Sequence, residues 1–384
     1  MKRSWRIGTR IAAISALAFP FVLAAGPTES PFATRVLEYR PAPGQFVNDG
    51  NFNDPIRALG PPVGAGLFEP SNESVVSLGG FGGFIVLGFD HTVEDDPLNP
   101  MGLDAIIFGN AFFVGGNPNR RWSECATVEI SLDENRNGVA DDAWYLIPGS
   151  HLPPPERYLA YVVWDDDLAD GIYPPSEASW IPEGRDGVWA TSAYTLRDAL
   201  FAAVIVINPS PSPDREGIHG YADHSPTVVL GDFDADGLVD DSSIAPEEFY
   251  IRPDDPFEVG ISAGSCGGDA LDIAWAVDAA TGEPANLPGF DFIRITTANA
   301  TVSIAFGEKS AEIDAVSDVP RDPYGNRDKD DDIDLYDAAG FLNCLGWEGG
   351  PVGGEECGGF DRDGDSVIDD TDFRAFVGSL QGPR

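Results

Sequence analysis

Glycine and proline punctuate this chain so densely, 44 and 32 times, that helix-forming runs are few. Between the breaks lie short stretches rich in Val, Ile and Phe, bounded by Gly, Pro, Asn and Asp. That pattern predicts an all-β fold. Val36–Tyr39 reads as a first strand. Ser74–Asp90 reads as two short strands around a glycine turn, Gly79-Gly80-Phe81-Gly82-Gly83. Ala105–Phe113, Ala126–Asp133, Ala143–Ile147 and Tyr158–Trp164 continue the series, and Phe290–Thr297 and Thr301–Phe306 close it. Thr195–Ile207 reads as a strand or as a short helix leading into one. Strands at this spacing, with turn signals between them, suggest a jelly-roll-like β-sandwich over residues 32–316. Residues 317–325 form a short polar, Pro-bearing linker.

The N-terminus sets the compartment. Lys2, Arg3, Arg6 and Arg10 precede an apolar run from Ile11 to Leu23, and the small residues Ala24, Ala25 and Gly26 follow. This is the three-part pattern of a secretory signal peptide, here residues 1–25, and its apolar run is short for a membrane span. No later stretch is apolar for long enough to cross a bilayer, so the expectation is an exported protein without a span in its mature chain. The formal net charge is −41. Nucleic acid is therefore not an expected partner, because phosphate binding needs clustered Lys and Arg. Acidity on this scale favours solubility and divalent cations.

Much of the acid is organised. The last sixty residues hold one unit twice. Asn326, Asp328, Asp330, Asp334 and Asp337 in the first copy match Asp361, Asp363, Asp365, Asp369 and Asp372 in the second. These are loop positions 1, 3, 5, 9 and 12 of a calcium loop, and Asp332 and Val367 stand at position 7, where such a loop offers a backbone carbonyl. Each loop is followed by apolar residues at helical spacing, Phe341/Leu342/Leu345 and Phe376/Val377/Leu380. The repeat predicts a paired Ca²⁺ module over residues 326–384. Cys344 and Cys357 flank the Gly-rich connector between the copies and are expected to pair, as the even cysteine count of an exported chain allows. Cys125 and Cys266 either pair across the main domain or are separate buried thiols.

Two further loops upstream share the pattern. Asp133, Asn135, Asn137 and Asp141 follow one predicted strand, and Asp232, Asp234, Asp236 and Asp240 follow another short apolar stretch. Each has oxygen side chains at positions 1, 3, 5 and 9 and Gly at position 6, but position 12 is Trp144 or Ser243. Both are expected to bind calcium with ligands completed from elsewhere; the alternative is an Asx turn whose carboxylates bond their own backbone.

Other motifs carry less. His219, Asp223 and His224 cluster in one turn, a polar turn before it is a transition-metal site, with Asp223 a calcium or structural ligand. Asp165-Asp166-Asp167 reads as a solvated loop before it reads as the acid and base of a glycosidase. No Gly-x-Ser-x-Gly or His-Glu-x-x-His occurs. The glycine turn at residues 79–83 lacks the Lys and the helix of a phosphate loop. Trp122, Trp144, Trp164, Trp180 and Trp189 are either core residues or a stacking platform for sugars.

The C-terminal pair resembles a type I dockerin module in the variant common in exported planctomycete proteins. The resemblance rests on Asp361, Asp363, Asp365, Asp369, Asp372, Phe373 and Phe376, with Asp328, Asp330, Asp334 and Asp337 in the first copy. It implies a calcium-loaded helix pair that docks onto a cohesin and is often fused to polysaccharide-degrading enzymes or sugar-binding modules. This chain departs from the pattern at Asn326, at Asp331 and Ser366 in place of the turn glycine, and at the unlike pairs Leu335/Tyr336 and Asp370/Thr371. The main domain looks like a family of exported bacterial cell surface proteins. The matching stretches are Val75–Asp90, Phe108–Phe112, Asp133–Tyr145, Gly220–Asp223, Asp269–Asp278 and Leu287–Ile293, with residues 225–264 as an insertion. That likeness implies a secreted β-rich domain and no particular chemistry. The expectation is an exported, non-catalytic, calcium-binding surface or assembly protein whose sandwich binds a glycan or protein. A polysaccharide hydrolase or lyase carrying a dockerin is the alternative, with Asp165–Asp167 or Asp223 and His224 in its site.

Overall fold

The computed structural model describes residues 29–42, 44–70, 74–80, 82–97, 99–118, 121–148, 161–164, 187–190, 221–256, 260–297, 302–303, 307–308, 310–320, 335–346, 357, 360 and 367–379, four of the short strands by backbone only. The expected signal peptide, the stretch Thr195–Ile207 and most of the expected linker lie outside these residues. The chain is mainly β. Its strands in order are β1 (Arg35–Arg40), β2 (Val76–Ser77), β3 (Phe84–Glu94), β4 (Ala105–Gly109), β5 (Phe112–Phe113), β6 (Arg121–Trp122), β7 (Ala126–Ser131), β8 (Tyr145–Ile147), β9 (Tyr161–Trp164), β10 (Gly187–Ala190), β11 (Asp269–Leu271), β12 (Gly289–Thr297), β13 (Val302–Ser303), β14 (Gly307–Glu308) and β15 (Glu312–Asp318). The helices are α1 (Pro246–Phe249), α2 (Leu335–Cys344) and α3 (Asp370–Ser379). None is long and apolar enough to cross a membrane.

Two antiparallel sheets carry the body. One runs β1-β3-β12-β7-β8 and the other β11-β4-β15-β2. They share one apolar core. Ile85, Leu87, Val128, Ile130, Ile293 and Ile295 come from the first sheet, and Val76, Ile107, Leu271, Ile313 and Val316 from the second. Alternation along β4 explains a second cluster: Ala105 and Ile107 enter the shared core, whereas Ile106 and Phe108 pack on the opposite side with Val228, Phe249, Tyr250 and Cys266. The segment read as an insertion thus covers the outer face of the second sheet, and Phe108 meets the Tyr250 ring edge-on at 5.5 Å.

β2 and β3 do not pair with each other; the glycine turn between them carries the chain from one sheet to the other. A side chain at Gly79 (φ +74°) would collide with the Ala42 carbonyl and one at Gly83 with the Leu78 carbonyl, so these glycines permit close backbone approach. Of Thr301–Phe306, expected as one strand, only Val302–Ser303 is described; it forms β13, which pairs with β14. The closing strand is β15, which lay outside the expected set. It pairs with β4 as far as Asp318, and Val319 N–H donates to the Asp104 carbonyl at 2.9 Å. Ser317 and Asp318 therefore belong to the sheet and not to a linker.

In the C-terminal part, Phe341, Cys344, Phe360, Ile368 and Phe376 form a separate small core. Cys344 and Cys357 are joined as expected, with Cα atoms 5.4 Å apart. Closing this loop contributes about 3 kcal/mol. The expected apolar stripes are only partly buried: Phe341 and Phe376 face inward, but Leu342, Leu345 and Val377 are exposed. Cys125 and Cys266 are separate buried thiols; Cys266 donates to the Arg252 carbonyl at 2.9 Å.

Candidate functional site

The two upstream Asp loops fold by the same rules, although they share no strand. Asp133 accepts N–H bonds from Asn137 and Gly138 at 3.0 and 2.7 Å, and Asp232 accepts them from Asp236 and Gly237 at 3.2 and 2.9 Å. Position 7 donates to position 5 in both, Val139 to Asn137 at 2.7 Å and Leu238 to Asp236 at 2.8 Å. Arg136 and Ala235 both adopt φ 56°, and Gly138 and Gly237 follow at 73° and 89°. This is the sharp turn for which a calcium loop keeps Gly at position 6. Their remaining side chains differ. The first loop is closed by Asn135 and Asn137 amides donating to Asp141 at 3.3 and 3.2 Å. In the second, carboxylate oxygens of Asp232, Asp234 and Asp240 all lie within 4.8 Å of one another. Three carboxylates so placed repel unless a cation joins them, which makes this loop the better candidate of the two.

Of the expected C-terminal ligands, Asn326, Asp328, Asp330, Asp332, Asp334, Asp361, Asp363 and Asp365 lie outside the described residues, and Asp337 is placed only as backbone of α2. Val367, Asp369 and Asp372 are described. Asp369 Oδ1 accepts from Thr371 N at 2.6 Å, and Asp372 Oδ2 accepts from Asp369 N at 2.9 Å. Position 9 thus caps the start of α3 through Thr371 N, and position 12 bonds back to the position 9 N–H.

Asp223 occupies a different setting. It is buried, with φ +55°, a left-handed conformation uncommon outside glycine. Its carboxylate accepts from Asn110 N at 2.8 Å and Glu312 N at 2.9 Å, bracing the end of β4 against the start of β15. A Cβ at Gly109 would stand 2.5 Å from Asp223 Oδ1, so glycine there lets the carboxylate in. Burial pushes this carboxyl up to about 7, against the pull of those N–H donors. Asp223 is therefore a structural strut. His224 is buried as well; burial and then the Arg121 charge hold its pKa well below the usual imidazole range, and Arg121 itself donates to Ser225 Oγ at 2.9 Å. His219 lies outside the described residues.

Around Asp223 runs a seam that the motifs did not reveal. Glu124 N–H donates to the Asp223 carbonyl at 3.3 Å, and both Glu124 carboxylate oxygens accept from Gln45 Nε2 at 2.5 Å. Glu312 Oε2 accepts from Asn110 Nδ2 at 2.5 Å. Ser77 Oγ donates to the Gln45 carbonyl at 2.7 Å and lies 2.6 Å from Ser310 Oγ. Burial, and then the neighbouring Glu124 charge, raise the Glu312 carboxyl well above the usual range. The available signal was polar residues inside apolar runs: Asn110 in Phe108–Phe112 and Glu312 in Ala311–Val316. Another carboxylate trio, Asp95, Asp104 and Asp272, is a backbone knot, since Asp104 accepts from Asp96 N, Asn99 Nδ2 and Ile273 N.

Among the tryptophans, Trp122 stacks with Phe112 and Trp144 lies under the Arg294 guanidinium at 4.4 Å. The side chains of Trp164 and Trp189 and all of Trp180, like Asp165–Asp167, lie outside what is described. No family model matches the chain, and no curated protein matches it.

Proposed function

We propose that this is an exported, non-catalytic, calcium-binding surface or assembly protein. Its jelly-roll-like sandwich binds a glycan or a protein, and its dockerin-like C-terminal module docks onto a cohesin-like or other surface partner. The observation that carries the calcium reading is the turn shared by the Asp133 and Asp232 loops, with three carboxylates gathered in the second. Secretion is supported by the N-terminal pattern and by the Cys344–Cys357 disulfide, a bond at home in oxidising compartments. Docking is supported by Leu342, Phe373 and Val377, apolar side chains exposed on the two C-terminal helices, and by Leu345, exposed just past the first of them. The enzymatic alternative is weaker at Asp223 and His224, which are buried and committed to holding strands together.

Calorimetry of the full chain tests the calcium reading. With Ca²⁺ the melting temperature is expected to exceed that in chelator, and the C-terminal pair is expected to unfold first when Ca²⁺ is removed. Identical melting curves would sink it.

A further inference from the structure

We propose that the buried seam is itself a cation site, in which Glu124, Glu312 and Asn110 hold a hard divalent cation where β4, β15 and the entry to β7 meet. This site is separate from the surface loops and shares no residue with them.

The argument starts from two oxygens. Asn110 Oδ1 and Glu312 Oε1 are buried and have no hydrogen-bond partner. Their residues touch, Asn110 Nδ2 lying 2.5 Å from Glu312 Oε2, so the two unmet oxygens belong to one bonded pair of side chains. Glu124 is tied to the same place through Asp223, whose carbonyl takes Glu124 N–H while its carboxylate takes Glu312 N–H. Among the described residues, no donor or cation meets either oxygen. Glu312 makes no ion pair among the described residues, and Arg121, three residues before Glu124, directs its donors to Pro118, His224 and Ser225. A buried carboxyl group and a buried amide oxygen left without donors are costly as they stand. A cation satisfies both oxygens at once, with the Glu124 carboxylate as its second charged ligand.

The donor chemistry narrows the ion. Every donor is a carboxylate or amide oxygen, and no thiol or imidazole is included, which selects Ca²⁺ or Mg²⁺ over softer metals. Gln45 orients the Glu124 carboxylate by bonding both its oxygens. Asp223 and Gly109 act as positioning residues that set the spacing between Asn110 and Glu312. Because the ligands come from positions 110, 124 and 312, only the folded sandwich assembles the site. An ion held there is expected to resist chelation that strips exposed loops.

The competing account is a protonated Glu312 that needs no metal. Glu312→Gln separates the two, since it copies the neutral acid and removes a charged ligand. The full chain, loaded with Ca²⁺ and dialysed to a matched free concentration, is assayed for calcium per chain by elemental mass spectrometry. Glu312→Gln is expected to hold one ion fewer than wild type and to lose part of the calcium-dependent rise in melting temperature. Asp232→Asn/Asp234→Asn is expected to lose a different ion, leaving the chelator-resistant one in place. An unchanged calcium count in Glu312→Gln, with equal or higher melting temperature in chelator, would overturn the proposal. Should Glu312→Gln not fold, Asn110→Asp decides: about tenfold tighter calcium binding at the resistant site is expected from the added charge. Lower stability at every calcium concentration, with no gain in binding, would overturn it.

Discussion

The Asp232 loop and the Asp223 seam are built from the same carboxylates and use them in opposite ways. In the loop, one residue's oxygens bond N–H groups four and five positions on, so the turn is organised within its own segment. In the seam, one residue's oxygens bond N–H groups 113 and 89 positions away, so a single side chain joins strands that are remote in sequence. The loop offers its remaining oxygens outward, whereas the seam is closed to water. A local acidic motif is therefore visible in a sequence, and a long-range one is not.

The sharpest way to break this comparison is to remove each central carboxylate in turn. Asp223→Ala leaves the Asn110 and Glu312 N–H groups buried without acceptors, at about 1–3 kcal/mol each, so a loss of about 4 kcal/mol is expected in urea denaturation. In the other Asp loop, which folds by the same turn, Asp133→Ala removes the acceptor that corresponds to Asp232 at a place where water substitutes, and about 1 kcal/mol is expected. Similar losses for the two would erase the distinction. A smaller effect marks the rim. His91 bridges Asp318 at 3.0 Å and Asp90 at 2.9 Å, and the Asp318 bond, above all, raises its pKa to about 9. Its unfolded value is lower, so the stabilisation is complete below about pH 6.5 and is lost as pH rises through 9. Stability is expected to decline across that window by about 1 kcal/mol or less, and His91→Asn is expected to flatten the decline.

The same contrast explains what could be read in advance. Strands that are apolar runs bounded by turn residues, such as β3 and β7, were legible. So was the Cys344–Cys357 pair, which closes a loop between two recognisable copies. β15 was hidden because Glu312, Asp314 and Ser317 alternate with apolar residues, which reads as a surface strand or a polar tail; in the fold all three are buried. The helical stripes were over-read for the opposite reason. Two short helices around a core of five buried residues do not cover Leu342, Leu345 and Val377. Of the loop sites, the turn was legible; the gathering of Asp232, Asp234 and Asp240 became visible only with coordinates.

One feature of β4 bears on how this protein can be divided. Because Ile106 and Phe108 are covered by Val228, Phe249 and Tyr250, the two-sheet body is not a minimal folding unit. Trimming residues 225–264 to shorten the protein would strip one side of a central strand and create a new adhesive surface. Natural or engineered shortening of this chain therefore meets its limit at that layer, and recombination of the sandwich with other modules has to take place at its ends.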